Sequence, residues 1–176
     1  MDLTELNTTA EERLRPALLA CCDVPAWADA VLAGRPYSDR GELEAVADKA
    51  ARTFARADVD RALAAHPRIG ERAQGPGTEA AWSRGEQAGV SRDQDTQAAL
   101  LEGNRAYEER FGRVFLICAT GLSGEQILAS LRERLDHDAT TEDAVVAGEL
   151  RKIALLRLAK LVEDAGQAGQ AGGVSR

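Results

Sequence analysis

The chain has 176 residues, which is enough for one domain with a substantial core, and 44% of them are hydrophobic while 29% are charged. Only 4% are aromatic, so alanine and leucine supply most of the apolar surface, and both residues favour helices. The net charge of −7 argues against nucleic-acid binding, because contacts to phosphates need clustered lysine and arginine.

The cysteines and the hydropathy pattern indicate a soluble, cytoplasmic protein. Cys21, Cys22 and Cys118 are odd in number and lack a Cys-x-x-Cys spacing, which predicts free thiols instead of a disulfide framework or a zinc site. The start of the chain is polar and acidic, unlike a signal peptide. No apolar run reaches the roughly 18 residues that a membrane span needs.

Apolar residues spaced by three and four positions predict helices along most of the chain. Capping residues, prolines and glycines mark where these helices begin and end. The predicted helix starts are, in chain order, Thr9 with Glu12 as a capping box, Pro25, Ser38 or Asp39, about Asp58, Thr78 or Glu79, about Arg92, Ser123, and Thr140 or Thr141. The helix from Pro25 is expected to end at Gly34, and the last helix at about Val162.

One apolar run, Val114–Ala119, has the composition of a strand and lies between Gly112 and Gly121. No second run of this kind is present to pair with it. We therefore predict an all-α fold of about eight helices with one extended, buried segment near 114–119, whose backbone groups need other partners. Residues 1–164 are expected to form this helical domain, and residues 165–176, rich in Gly, Ala and Gln, a disordered tail.

His66 is one of two histidines and is followed by Pro67. Proline disfavours the helical conformation in the residue before it, so we expect His66 at a helix end, with its imidazole pointing away from that helix. Histidine is also the side chain whose ordinary pKa lies closest to neutrality. These features make His66 a candidate for acid–base chemistry, although a His-Pro pair also occurs in ordinary helix-ending turns.

Arg157 falls inside the apolar stripe of the last helix, three residues after Ala154 and seven after Leu150. A guanidinium taken into a core must be paired, because an unpaired buried charge is costly. We expect either a structural ion pair, or an arginine at the helix edge, or an arginine directed into a cavity to meet a carboxylate.

A second polar face is predicted on the helix that begins near Glu79. Ser83, Glu86 and Gln87 are three and four positions apart and share that face, which is typical either of a solvated helix or of a binding surface. A metal site made from His66, Glu71 and Glu86 lacks a second histidine ligand, so we predict none. His137, in a polar turn, is expected to be exposed.

Five motifs add information that periodicity does not hold. They are His66–Gly70, Ser83–Gly89, Asn104–Gly112, Phe115–Ala119 and Lys152–Leu158, in this order. Together they resemble the 2-oxo-4-hydroxy-4-carboxy-5-ureidoimidazoline (OHCU) decarboxylase family of urate degradation, over about Leu6 to Val162. Where that family commonly has Phe-Pro before the apolar segment, this chain has Arg113-Val114.

The resemblance implies an all-helical, usually dimeric enzyme that needs no metal or organic cofactor and converts OHCU into (S)-allantoin with loss of CO2. Its partner would be this small-molecule substrate and a second copy of the chain, with no nucleic acid and no membrane. It implies His66, Glu86 and Arg157 as the catalytic group. The residues implied to line the substrate are Pro67, Ser83, Arg84, Gly85, Glu86, Gln87, Phe115, Leu116, Ile117, Cys118 and Ala119.

The roles within this group stay open at the level of sequence. Arg157 would bind the substrate carboxylate or an oxyanion, His66 would take or give a proton, and Glu86 would orient His66 or bind ureido N–H groups. Two other functions fit the same residues: a helical protein-interaction domain without catalysis, and a family member that acts on a related ureide.

Overall fold

The computed structural model describes residues 1–64, 66, 68–69, 82, 85–86 and 94–162. Within these ranges the chain forms helices and no strand, which confirms the all-α prediction. The eight helices that lie in the described ranges are α1 (Leu3–Thr8), α2 (Glu11–Cys21), α3 (Pro25–Ala33), α4 (Arg40–Ala51), α5 (Arg56–Leu63), α6 (Gln94–Phe111), α7 (Gly124–Leu135) and α8 (Ala139–Leu161).

Several predicted helix boundaries are confirmed by their caps. Pro25 opens α3 and Gly34 follows its last turn. The Asp39 side chain accepts a hydrogen bond from the Glu42 N–H at the start of α4. Ser123 and Gln126 form a reciprocal capping box at the start of α7. Local sequence therefore decides these boundaries, because each cap satisfies backbone donors that the helix leaves unpaired.

Two predicted caps are wrong. Thr9 does not begin a helix, since Asp2 and Glu5 form a capping box for the short helix α1 and the Thr9 hydroxyl donates to the Glu5 carbonyl at its end. At α8, Asp138 caps the helix by accepting from the Thr141 N–H, because it precedes both threonines and presents a charged acceptor. The helix expected near Thr78 to Gly89 and the tail 165–176 lie outside the described residues.

Two groups of buried side chains form the core. The helices of the first core are α1 to α5 and α8, and those of the second core are α6 and α7. The extended segment 114–119 runs between them: Val114, Leu116 and Cys118 pack on the first core, and the alternating residues 115, 117 and 119 belong to the second. This alternation of sides is that of an extended chain, so one segment joins both cores. No helix in the described part of the chain is long and apolar enough to cross a membrane.

Candidate active site

His66 lies three residues beyond the end of α5 and is bound by the last turn of that helix. Its N–H donates to the Leu63 carbonyl at 3.0 Å, and its ring Nδ1 lies 2.8 Å from the Ala62 carbonyl oxygen. The expectation that the imidazole points away from its helix is therefore wrong. The last carbonyls of a helix lack intrahelical donors, and here one of them binds the ring.

The contact with Ala62 decides which ring nitrogen carries the proton. A carbonyl oxygen only accepts, so Nδ1 of His66 donates and Nε2 of the neutral ring presents a lone pair. This Nε2 is buried and has no hydrogen-bond partner among the described residues. A buried polar atom without a partner is uncommon in proteins, and this one is suited to accept a proton from a bound ligand.

The surroundings of His66 also keep it neutral. Burial is the main cause that lowers the pKa of His66 below its ordinary 6.5; the Ala62 hydrogen bond and the Glu86 charge oppose this effect, and the Arg157 charge adds to it. Both charges of the Arg157–Glu86 pair thus act on the His66 ring, and with opposite sign. At neutral pH the ring is therefore a base and not an acid.

Arg157 on α8 is buried, with 1% of its surface exposed, and pairs with Glu86. Its Nε donates to Glu86 Oε1 at 2.8 Å and its Nη2 to Oε2 at 2.9 Å, a bidentate pair. Two parallel charge-assisted bonds in a low-dielectric environment compensate for removing both charges from water. The partner that a buried Arg157 requires is therefore Glu86, whose side chain is 10% exposed.

Lys160 adds a second cation to this carboxylate. It follows Arg157 by one turn of α8, and its Nζ lies 3.9 Å from Glu86 Oε1, beyond ordinary hydrogen-bond distance. The described contacts of Glu86 thus go to Arg157 and Lys160. The orientation of His66, one of the two roles considered for Glu86, comes from the Ala62 carbonyl instead.

The predicted extended segment is present, and its backbone has partners from side chains. Phe115, Leu116, Ile117 and Ala119 are buried and Cys118 is half-buried. The Leu116 carbonyl accepts from Arg134, and the Cys118 N–H donates to Glu149. Side chains from α7 and α8 therefore bind these two backbone groups in place of a neighbouring strand.

The remaining predicted substrate-lining residues are only partly described. Gly85 is exposed and helical, directly before Glu86. Pro67, Ser83, Arg84 and Gln87 lie outside the described residues. The considered metal ligand Glu71 also lies outside them, and within the described ranges no cluster of three or more His, Cys, Asp or Glu side chains is arranged to hold a metal ion.

Sequence reasoning missed a second buried charge network. Arg134 and Glu142 are 5% and 0% exposed and form a salt bridge of 2.5 Å. His137, predicted to be exposed, is half-buried and its Nδ1 lies 2.9 Å from Glu142 Oε2. The signal was available, because Arg134 follows Ile127 by seven positions in the apolar stripe of α7, as Arg157 follows Leu150 in α8.

Comparison with known sequences gives a consistent result over nearly the whole chain. The family model for OHCU decarboxylase matches residues 7–159. The OHCU decarboxylase of Amia calva is 32% identical over 167 residues, which are 93% of this chain and 95% of that protein. The OHCU decarboxylase of Haloferax volcanii is 32% identical over 162 residues, with coverages of 91% and 95%.

Solved structures show the same similarity in three dimensions. A crystal structure of OHCU decarboxylase in the presence of (S)-allantoin has a TM-score of 0.69 and 27% sequence identity, and the match covers 88% of this chain and 99% of that one. A crystal structure of (S)-allantoin synthase has the same TM-score at 17% identity, with coverages of 92% and 54%, and shows similarity of fold.

Proposed function

Because the chain belongs to the OHCU decarboxylase family, we propose that His66, Glu86 and Arg157 are the catalytic group with which it decarboxylates its substrate. The enzyme converts OHCU into allantoin in the degradation of urate. Two observations support the proposed group: Nε2 of the neutral His66 is buried and has no hydrogen-bond partner among the described residues, and the charges of the buried Arg157–Glu86 pair act on this ring.

The chemistry requires a site that tolerates an anion and handles one proton with defined geometry. When the bond between the ring and the carboxylate breaks, CO2 leaves and the electron pair moves into the adjacent C=N system. The nitrogen that receives the pair takes up one proton, and the ring carbon that carried the carboxylate becomes an enol. Conversion of this enol to the carbonyl of allantoin moves one proton from oxygen to the neighbouring carbon.

We assign this proton transfer to Nε2 of His66. The neutral ring accepts the hydroxyl proton, because its pKa is lowered by burial and Nδ1 is already committed to Ala62. The imidazolium then returns the proton to carbon from one side, which gives one enantiomer, (S)-allantoin. Positioned acid–base groups of this kind contribute about 10²–10⁴-fold in rate.

We assign electrostatic roles to two cations: the partly exposed Lys160 attracts the anionic substrate, and the buried Arg157 acts in the reaction itself. The Nε and Nη2 edge of Arg157 is occupied by Glu86, so Glu86 fixes the plane of the guanidinium. Arg157 then stabilises the negative charge of the carboxylate and of the electron-rich intermediate from a preorganised position. Pro67, residues 83–87 and residues 115–119 complete the proposed substrate pocket.

The test is to generate OHCU in situ from urate, add the protein and follow the optical activity of the allantoin formed. Uncatalysed decay gives racemic allantoin, so the enzyme should produce an enantiomeric excess, and its absence would refute the assignment. His66→Ala should abolish the excess while the helical circular dichroism stays that of the wild type. Comparison with related ureides as substrates separates OHCU from the alternative of a neighbouring substrate.

We also propose that the enzyme is a homodimer in the cytoplasm, which the family resemblance supports. Light scattering would check the assembly: a mass near twice the 18.8 kDa of one chain is expected, and a monomer at all concentrations would contradict it. Residues 1–164 are proposed as the catalytic unit, so a chain shortened after residue 164 should keep full activity.

A further inference from the structure

The extended segment 114–119 is attached by two side chains that the proposed catalytic group does not include. Arg134 of α7 donates through Nη1 to the Leu116 carbonyl at 2.8 Å. Glu149 of α8 accepts at Oε2 from the Cys118 N–H at 2.8 Å. Secondary structure normally supplies such partners, and here two charged side chains supply them.

Arg134 is itself held from several directions. Its Nε donates to Glu142 Oε1 at 2.9 Å, its Nη2 to the same oxygen at 2.5 Å, and its guanidinium carbon lies 4.5 Å from the centre of the Phe115 ring. Tyr107 also donates a hydrogen bond to Glu142. Although burial raises the pKa of Glu142, these bonds outweigh it and keep the pKa below its ordinary value, so Arg134 faces a charged partner.

The two carboxylate oxygens of Glu149 have different partners, one in the segment and the other on the exposed Lys152. Oε2 binds the Cys118 N–H, while Oε1 accepts from Lys152 Nζ at 2.6 Å. The Glu149 side chain is 13% exposed and the Lys152 side chain 63%. Of these two contacts, the hydrogen bond to the Cys118 N–H is the buried one. Replacing Lys152 therefore leaves that hydrogen bond in place.

Both contacts act on the same edge of the segment. In an extended chain the backbone groups of residues i and i+2 point to one side and those of the residue between them to the other. Leu116 and Cys118 thus face Arg134 and Glu149, and Ile117 presents its N–H and C=O to the opposite edge. The backbone of Ile117 has no hydrogen bond among the described residues.

The segment also packs in the same core as α8, the helix that carries Arg157. Burial raises the pKa of the Cys118 thiol, and the charges of Glu149 and Glu86 both add to this effect. Leu116 packs in the same core as Leu158, the neighbour of Arg157 on α8. A shift of the segment would therefore change the distance between its free edge and the reacting groups.

We propose that Arg134 and Glu149 are positioning residues. They fix the position and orientation of segment 114–119 so that its other edge, which carries the backbone groups of Ile117, binds the substrate. The proposal rests on the proposed function, because the segment matters for catalysis only if it lines the substrate pocket. Neither side chain needs to touch the substrate. Each acts through a peptide group that it holds.

Glu149 allows the cleaner experiment, because its two contacts can be separated. Glu149→Leu removes both, Glu149→Gln keeps an oxygen acceptor for the Cys118 N–H, and Lys152→Met removes the salt bridge alone. We expect Glu149→Leu to raise KM for OHCU and lower kcat/KM by about 10- to 100-fold, the scale of a misplaced binding group. Glu149→Gln and Lys152→Met should keep the KM of the wild type.

Arg134 is replaced together with its charge partner Glu142, so that no unpaired buried charge disturbs folding. Arg134→Met/Glu142→Gln eliminates the pair without leaving a buried charge, and still deprives the Leu116 carbonyl of its donor. Tyr107→Phe is the matched control, because it removes a hydrogen bond to Glu142 in the same network without touching Leu116. The double variant should raise KM, and Tyr107→Phe should leave KM unchanged.

KM separates positioning from stability, because partial unfolding lowers the amount of active enzyme and not its affinity for substrate. Hydrogen exchange at the Cys118 amide provides a second readout and should accelerate in Glu149→Leu alone among the three variants of that contact. Wild-type KM in both Glu149→Leu and the Arg134→Met/Glu142→Gln variant would overturn the inference. A wild type that produces racemic allantoin would instead refute the proposed function, and the inference with it.

Discussion

The Arg157–Glu86 pair offers a decisive test of whether its charges serve catalysis or only folding. The two residues lie 71 positions apart in sequence and form two hydrogen bonds in a buried environment. We consider three variants: Arg157→Met, Glu86→Gln and the two changes combined. Both substitutions retain approximate side-chain length, so the comparison isolates the charges.

The expected effects on stability follow from burial. Arg157→Met leaves the Glu86 carboxylate with Lys160 at 3.9 Å as its described cation. Breaking a buried pair by removing one partner costs about 3–5 kcal/mol, which for a chain of this size lowers Tm by roughly 6–20 °C. The double variant should recover most of this loss, because no unpaired charge then remains in the core.

Activity should not recover with stability. If Arg157 stabilises negative charge in the reaction, the double variant stays at least about 100-fold below the wild type in kcat/KM, even with its Tm restored. Optical activity of the allantoin formed gives the rate, and thermal unfolding by circular dichroism gives Tm. The double change Arg15→Met/Asp29→Asn at an exposed pair serves as control and should alter neither. Recovery of wild-type kcat/KM in the double variant would show that the pair is structural.

Three further outcomes are expected. Because the pKa of His66 is lowered from 6.5 and the neutral ring is the proposed active form, kcat/KM should stay constant as pH falls to about 6.5 and decline only below it. A decline of kcat/KM centred above pH 6.5 would contradict the proposal that His66 is a base whose pKa is lowered by burial. Lys160→Met should raise KM and weaken the dependence of kcat/KM on ionic strength, while Lys152→Met, on the same helix, leaves KM unchanged. Gly103→Ala should lower the free energy of unfolding by about 1–3 kcal/mol, because the added methyl would overlap Leu131, although alanine normally favours a helix; a raised Tm would refute this.

Much of the fold could be predicted because its boundaries are local. Asp39, Ser123 and Pro25 lie next to the backbone groups that they cap or replace, so short patterns identify them. The missed helix α1 has six residues and buries only Leu6, so it has no apolar stripe to detect. The start of α8 was predicted at the wrong residue because Asp138, Thr140 and Thr141 can each accept the capping hydrogen bond. The sequence pattern does not show which of them does so.

The burial and pairing of Arg157 could be predicted from the sequence, but its partner could not. The position of Arg157 in an apolar stripe predicts burial and a partner, and the same rule applied to Arg134 would have found the second network. That the partner is Glu86, 71 residues earlier, depends on how α8 packs in three dimensions. Likewise, no spacing rule indicates that Glu149 would bind the Cys118 N–H, because a side chain 31 positions away reaches a backbone group only after both cores have formed.

The direction of proton transfer shows what a single contact adds to a list of residues. From sequence, His66 could equally be a base or a proton donor. The Ala62 carbonyl at 2.8 Å removes this ambiguity, because it assigns the proton to Nδ1 and the lone pair to the buried Nε2. Burial and the Arg157 charge disfavour a second proton before substrate binds. In the proposed mechanism His66 therefore takes a proton first, and any proton that it delivers to carbon is one that it has received within the same turnover.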